Sequence, residues 1–217
     1  MTKSIEDTIN LLVQDNVMPA PRLKVPLALC VLVPLSIALV CLASVWTSMP
    51  LRADYALKIS EPYVLAKQAI PVLLLLSLVP ILTALFRPEG QIGRLLFLPI
   101  GVIGILFVLV FTELFAQPII SWSTLIVGKS IPQCLIGVNI IALAGLGISL
   151  YILRQGAVTH PVLCGFLAGI LAGSLAAFLY AFICTEDSPL FYGVWYSLAV
   201  LGTGGIGAIM GNKILRW

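Results

Sequence analysis

The chemistry-bearing residues of this chain gather in one short stretch, Cys184-Thr185-Glu186-Asp187-Ser188-Pro189, which sets a thiol, two carboxylates and a helix breaker between two long apolar runs. A second thiol, Cys134, lies within about a turn of the start of another apolar run, at the membrane face that Cys184 also reaches. Two thiols on an oxidising face can close a disulfide, or they can bind a soft metal with help from Glu186, Asp187 or Glu113. A disulfide there reads equally as a permanent tie between two helices and as a redox switch, because position does not reveal reduction potential. Glu113 is the one carboxyl inside an apolar run. Such a group suggests function by default, yet it lies near enough to a membrane surface to reach water or Lys129 as a structural ion pair.

The elements that must hold these residues are membrane helices. A chain of 217 residues that is 60% hydrophobic and only 10% charged, with a mean hydropathy of +1.12, has too little polar surface to cover a soluble globule. Six apolar runs, at residues 25–46, 64–86, 95–115, 131–153, 161–183 and 190–210, are each long enough to span a bilayer. The fold class is therefore an all-α integral membrane protein with six transmembrane helices. An even number of crossings leaves both termini on one side. Lys3, Arg22, Lys24, Arg87, Arg94, Arg154, Lys213 and Arg216 fall on that side, against Arg52, Lys58, Lys67 and Lys129 on the other. The basic excess makes both termini cytoplasmic and turns the Cys184 stretch outward. The net charge of +3 thus reflects topology and gives no reason to expect direct nucleic-acid binding.

The first apolar run exceeds a cleavable signal's apolar core and follows a partly acidic, helix-patterned tail, so it reads as a retained first helix. The chain divides into a cytoplasmic tail, residues 1–24, and a six-helix membrane domain, residues 25–217. In the tail, Ser4 and Asp7 resemble a capping box, and Ile5, Ile9, Leu12 and Val13 share one helical face. The helix should stop before Pro19. Glu6, Asp7 and Asp15 make its polar face acidic, which argues against lying on anionic lipid and for folding into a partner's groove. Gly165, Gly169 and Gly173, with Gly207 and Gly211, mark close helix packing. The loop at residues 47–63 reads as a solvated connection, and residues 117–129 as another loop. Cys30, Cys41 and Cys164 behave as small hydrophobes, and His160 as a solvated loop residue.

Residues 184–189, followed by Val194-Trp195-Tyr196 and a terminal Leu215-Arg216-Trp217, together with Cys134, the six runs and a tail containing Ile9-Asn10-Leu11-Leu12, resemble the NrsF family, the negative regulators of sigma F. The resemblance implies a six-helix anti-sigma factor of the bacterial inner membrane. Such a protein holds an extracytoplasmic-function sigma factor inactive and releases it under heavy-metal or oxidative stress. Carried over, it makes Cys134 and Cys184 the paired sensing cysteines, with a heavy-metal ion as a transient ligand and no resident cofactor, and the tail the sigma-binding element. Two rival classes are weaker. A thiol oxidoreductase would be expected to carry Cys-x-x-Cys, which is missing, so the protein is read as not an enzyme. A small transporter, the alternative reading, would be expected to place polar residues near mid-membrane, where Asn139 and a few hydroxyls are all that stand.

Overall fold

A computed structural model describes residues 52, 54–85, 92–156 and 158–216. The first apolar run, the tail residues Ile5, Ile9, Leu12 and Val13, and the thiols Cys30 and Cys41 lie outside the described residues. Those described form helices joined by short connections, with no strand among them. The order is α1 (Tyr55–Lys58), α2 (Pro62–Leu85), a 3-10 turn (Gly93–Leu96), α3 (Phe97–Ala116), α4 (Ile119–Val127), α5 (Ile131–Leu153), α6 (Pro161–Tyr180) and α7 (Pro189–Ile214).

Five of these stretches are long and apolar enough to cross a membrane: Pro62–Leu85, Gly93–Ala116, Ile131–Leu153, Pro161–Tyr180 and Pro189–Ile214. They coincide with the last five apolar runs, as expected of segments in which every backbone polar group must be satisfied internally. This is a multi-pass membrane protein. Prolines open four of the helices: Pro62, Pro132, Pro161 and Pro189 occupy first-turn positions, where the missing N–H is no loss. Pro71 and Pro80 sit inside α2.

The bundle is built around α6, whose most apolar window is 72% buried, against 11% for that of the α3 span. Its neighbours are α7, α5 and α2, while α3 packs on the periphery against α2 and α7. The small-residue stripes explain the tightest contact. A Cβ added at Gly165 would stand 2.2 Å from the Gly207 carbonyl oxygen, and one at Gly169 would stand 2.4 Å from that of Thr203. No residue larger than glycine allows α6 and α7 this approach. Across the α5–α7 contact, the Thr203 hydroxyl donates to Asn139 Oδ1 at 3.0 Å.

Two connections carry more structure than a plain loop. Residues 119–127 form the nine-residue helix α4, pinned to α7 where Trp195 Nε1 donates to the Ile126 carbonyl at 2.6 Å. The connection before α2 is not a free loop either, because Arg52 within it is 6% exposed. The reason is electrostatic and lies in the site below.

Candidate functional site

The C-terminal end of α6, the N-terminal ends of α2, α5 and α7, and the residues around α1 meet at one end of the bundle. After Tyr180 the chain turns through residues 181–183 and runs extended to Ser188, whose side chain caps α7 by accepting from the Leu190 N–H at 3.3 Å. Pro189 then starts the helix. The extended segment leaves its own carbonyls without helical partners, and side chains from elsewhere take them.

Lys67 is the principal partner. It lies in the second turn of α2, is 1% exposed, and its ammonium donates to the carbonyl oxygens of Cys184 and Glu186, each at 2.7 Å. It also stands 3.4 Å from Asp187 Oδ1. Arg52 completes the arrangement with a two-pronged bond to Asp187, Nη1 to Oδ1 and Nη2 to Oδ2, both at 2.6 Å. The same guanidinium donates to Asp54 through Nε at 2.5 Å and Nη2 at 3.0 Å. Lys58 approaches both carboxylates at 3.8 Å. Bidentate, charge-assisted bonds of this kind are the stronger class of hydrogen bond.

The charges are set accordingly. Burial by itself would raise the Asp187 carboxyl, but the Arg52 hydrogen bonds and the nearby Lys67 charge outweigh it and hold Asp187 below the usual carboxylate value. Asp54, at the surface, is lowered chiefly by its hydrogen bonds from Arg52. Its hydrogen bonds to Asp187 and then to Asp54 raise the Arg52 guanidinium far above its ordinary value.

The two thiols adjoin this ionic group, since Lys67 holds the Cys184 carbonyl and its charge acts on Cys134. Cys134 is 0% and Cys184 3% exposed, and both are free. Each belongs to the same buried core cluster, and they are near enough to interact electrostatically. The Cys184 sulfur stands 4.0 Å from the Glu186 carbonyl oxygen. Tyr180 and Tyr196, with ring centroids 6.2 Å apart, lie within electrostatic reach of both thiols.

The acidic residues expected beside the thiols divide by role. Asp187 is engaged by Arg52 and Lys67. Glu186 accepts from the Lys129 backbone N–H at 2.9 Å, fastening the loop before α5 to the Cys184 segment. Gly128 makes this possible: its φ is +52°, and a Cβ there would stand 2.7 Å from the Phe191 ring. Glu113 is 5% exposed and makes no ion pair with Lys129; it accepts from Gln117 Nε2 at 3.3 Å and lies within electrostatic reach of the Tyr63 and Tyr192 phenols. Among the described residues, no three His, Cys, Asp or Glu side chains converge as a metal cluster, so the thiol pair stands as a two-sulfur arrangement. Cys164 is buried near the opposite end of α6, and His160 is exposed there beside an apolar recess that includes Pro161 and Phe166.

Lys67 and Arg52 were not singled out from the sequence. The signal for Lys67 was present, since it is an ionisable residue four positions into an apolar run. Arg52 carried none, because a cation in a mixed-charge connection looks the same whether it is solvated or buried.

Comparison with known proteins bears on this arrangement. A family model described as NrsF, negative regulator of sigma F, matches residues 12–217. A probable anti-sigma-F factor NrsF of Azospira oryzae is 30% identical over 120 residues, 55% of this chain and 56% of that protein. The anti-sigma-F factor NrsF of Caulobacter vibrioides is 33% identical over 90 residues, 42% of each chain. The matched region thus spans about half of these curated relatives or less. No solved structure matches the chain.

Proposed function

The chain belongs to the NrsF family, negative regulators of sigma F, and from that membership we propose that it is an anti-sigma factor of the bacterial inner membrane. It sequesters an extracytoplasmic-function sigma factor and releases it when the Cys134 and Cys184 pair meets a heavy-metal ion or an oxidant. It works as a binding regulator and not as an enzyme. The observation that carries the sensing half is that two free, buried thiols, fifty residues apart in the chain, lie within electrostatic reach of each other at one end of the bundle. Two thiols so placed share one chemistry: both release their protons to water as their thiolates bind a thiophilic cation, or both pass their protons and two electrons to an oxidant as a disulfide forms.

Both termini are cytoplasmic in this reading, on the basic excess, and the thiol end faces outward. The tail at residues 1–24 is the sigma contact, through Ile5, Ile9, Leu12 and Val13, while residues 25–217 form the sensor. A heavy-metal ion is a transient ligand of the two sulfurs, with Glu186, Asp187 and Glu113 as auxiliary groups. The experiment is a pair of variants in cells carrying a sigma-dependent reporter. Cys134→Ser with Cys184→Ser should insert normally, hold sigma and lose induction by cadmium chloride. Deletion of residues 1–18 should leave sigma unbound and the reporter constitutively on. Normal induction without the cysteines would sink the sensing role, and sigma that co-purifies with the truncated chain would sink the tail's.

A further inference from the structure

The thiols proposed to sense are 0% and 3% exposed, so no reagent reaches them unless something above them moves. The segment before α2 that is tied to this part of the chain is Arg52 with helix α1. This segment grips the chain on both sides of Cys184. On the near side, the Arg52 backbone N–H donates to the Phe182 carbonyl at 3.5 Å, and the Tyr55 and Phe182 rings lie 5.3 Å apart between centroids. On the far side, the Arg52 guanidinium and Lys58 hold Asp187. From below, Lys67 binds the carbonyls of Cys184 and Glu186. Three cations meet two carboxylates here, and the two buried cations, Arg52 and Lys67, share Asp187: its loss leaves their charges short of a countercharge.

We propose that Arg52 and α1 form a strap over the thiol pocket, with Arg52 and Lys67 as its two clamps, and that opening the strap both admits reagents to Cys184 and signals to the rest of the molecule. The second half follows from chain order. Arg52 lies six residues beyond the first apolar run, which leads directly to the tail, so displacement of the strap acts on the segment joined to the proposed sigma contact. Lys67 places the same event on α2, which packs on the central helix α6. Arg52 and Lys67 are positioning residues: they act on the thiols through the backbone and carboxylate they hold. This inference rests on the anti-sigma reading and adds to it a gate and a route.

The test uses the full chain in native membranes with its sigma factor. The rate at which N-ethylmaleimide alkylates Cys184 is followed by mass spectrometry of the peptide that contains it, and sigma release is read from a promoter reporter without inducer. Arg52→Gln and Lys67→Met should each speed alkylation at least tenfold and raise the uninduced reporter severalfold. Arg52→Lys keeps the charge and loses the fork, so about a threefold rise in alkylation is expected, and this milder variant decides the matter if the others fail to insert. Glu61→Gln, altering an exposed carboxylate outside the ionic group, should change both readouts less than twofold. Unchanged alkylation in the Arg52 variants overturns the proposal. Faster alkylation with a flat reporter also overturns it, since the strap would then cover the thiols without transmitting. Failure of the anti-sigma reading has a different signature, namely that sigma does not bind the natural chain, and the alkylation rates do not depend on that result.

Discussion

Asp187 is the residue on which the ionic group turns, because Arg52, Lys58 and Lys67 all reach its two oxygens. Asp187→Asn leaves the buried guanidinium and ammonium short of a countercharge. Breaking a buried pair from one side costs about 3 to 5 kcal/mol, and the side chain's 16% exposure places the expected loss near about 3. The pH dependence has a definite sign. Since the folded carboxyl titrates below its ordinary value, its stabilisation is complete above the usual carboxylate range and is lost as pH falls through the depressed value. Thermal unfolding in lipid nanodiscs should therefore show the wild type and Asp187→Asn far apart at neutral pH and converging in strong acid; a gap that widens with acid would contradict the assigned pairing. Residue chemistry was only half legible in the sequence. The thiols and carboxylates announce themselves by type, and Cys134 and Cys184 lie within electrostatic reach of each other. Their covering does not, because whether Arg52 is solvated or buried depends on which distant backbone it meets.

Among the helices, the α6–α7 contact gives the sharpest mechanical prediction. Gly169→Ala places a methyl 2.4 Å from the Thr203 carbonyl oxygen and 2.7 Å from Gly204 Cα, so backbone must separate from backbone. Overpacking of this kind costs about 1 to 3 kcal/mol. Gly104→Ala on α3 meets nothing within 4 Å among the described residues and should change stability by no more than about 0.5 kcal/mol. Equal effects of the two on the unfolding temperature would show that the glycines act through helix propensity instead of packing. A milder case is Trp195→Phe, which removes the bond from Nε1 to the Ile126 carbonyl and should loosen α4 at a cost of about 1 kcal/mol, seen as faster amide exchange over residues 119–127. The long helices were legible because hydropathy reports them directly, and the glycine stripe because its four-residue period is unambiguous. Helix α4 was not. Nine residues are too few to span, and its alternation of hydroxyls with Ile and Leu reads as readily as a loop.

For the whole molecule, the question is how much free energy the thiol event must deliver to the proposed sigma contact. Moving a two-state equilibrium from one part released in a hundred to ninety-nine takes about 5.5 kcal/mol. A disulfide typically contributes about 2 to 4 kcal/mol. At about 3 kcal/mol the shift is roughly 160-fold, which carries one per cent released to about 60%. Coordination of a cation by two thiolates draws on a larger free energy, since metal binding supplies about 10 kcal/mol or more in sites built from several thiolates. The strap raises the requirement, because its ionic contacts must be broken before the thiols are reached. The two stimuli should therefore differ in extent as well as rate. With saturating diamide, a substantial fraction of sigma, about 40% on this arithmetic, should remain bound to the membrane fraction. Saturating cadmium should release more. Arg52→Gln, with the strap already weakened, should let diamide approach the cadmium level. Quantitative immunoblotting of membrane-bound sigma under the four conditions measures this directly. Equal and complete release by both stimuli in the natural chain would mean that the switch needs less than a single disulfide supplies, and that the resting state is held far less firmly than its ionic clamp suggests.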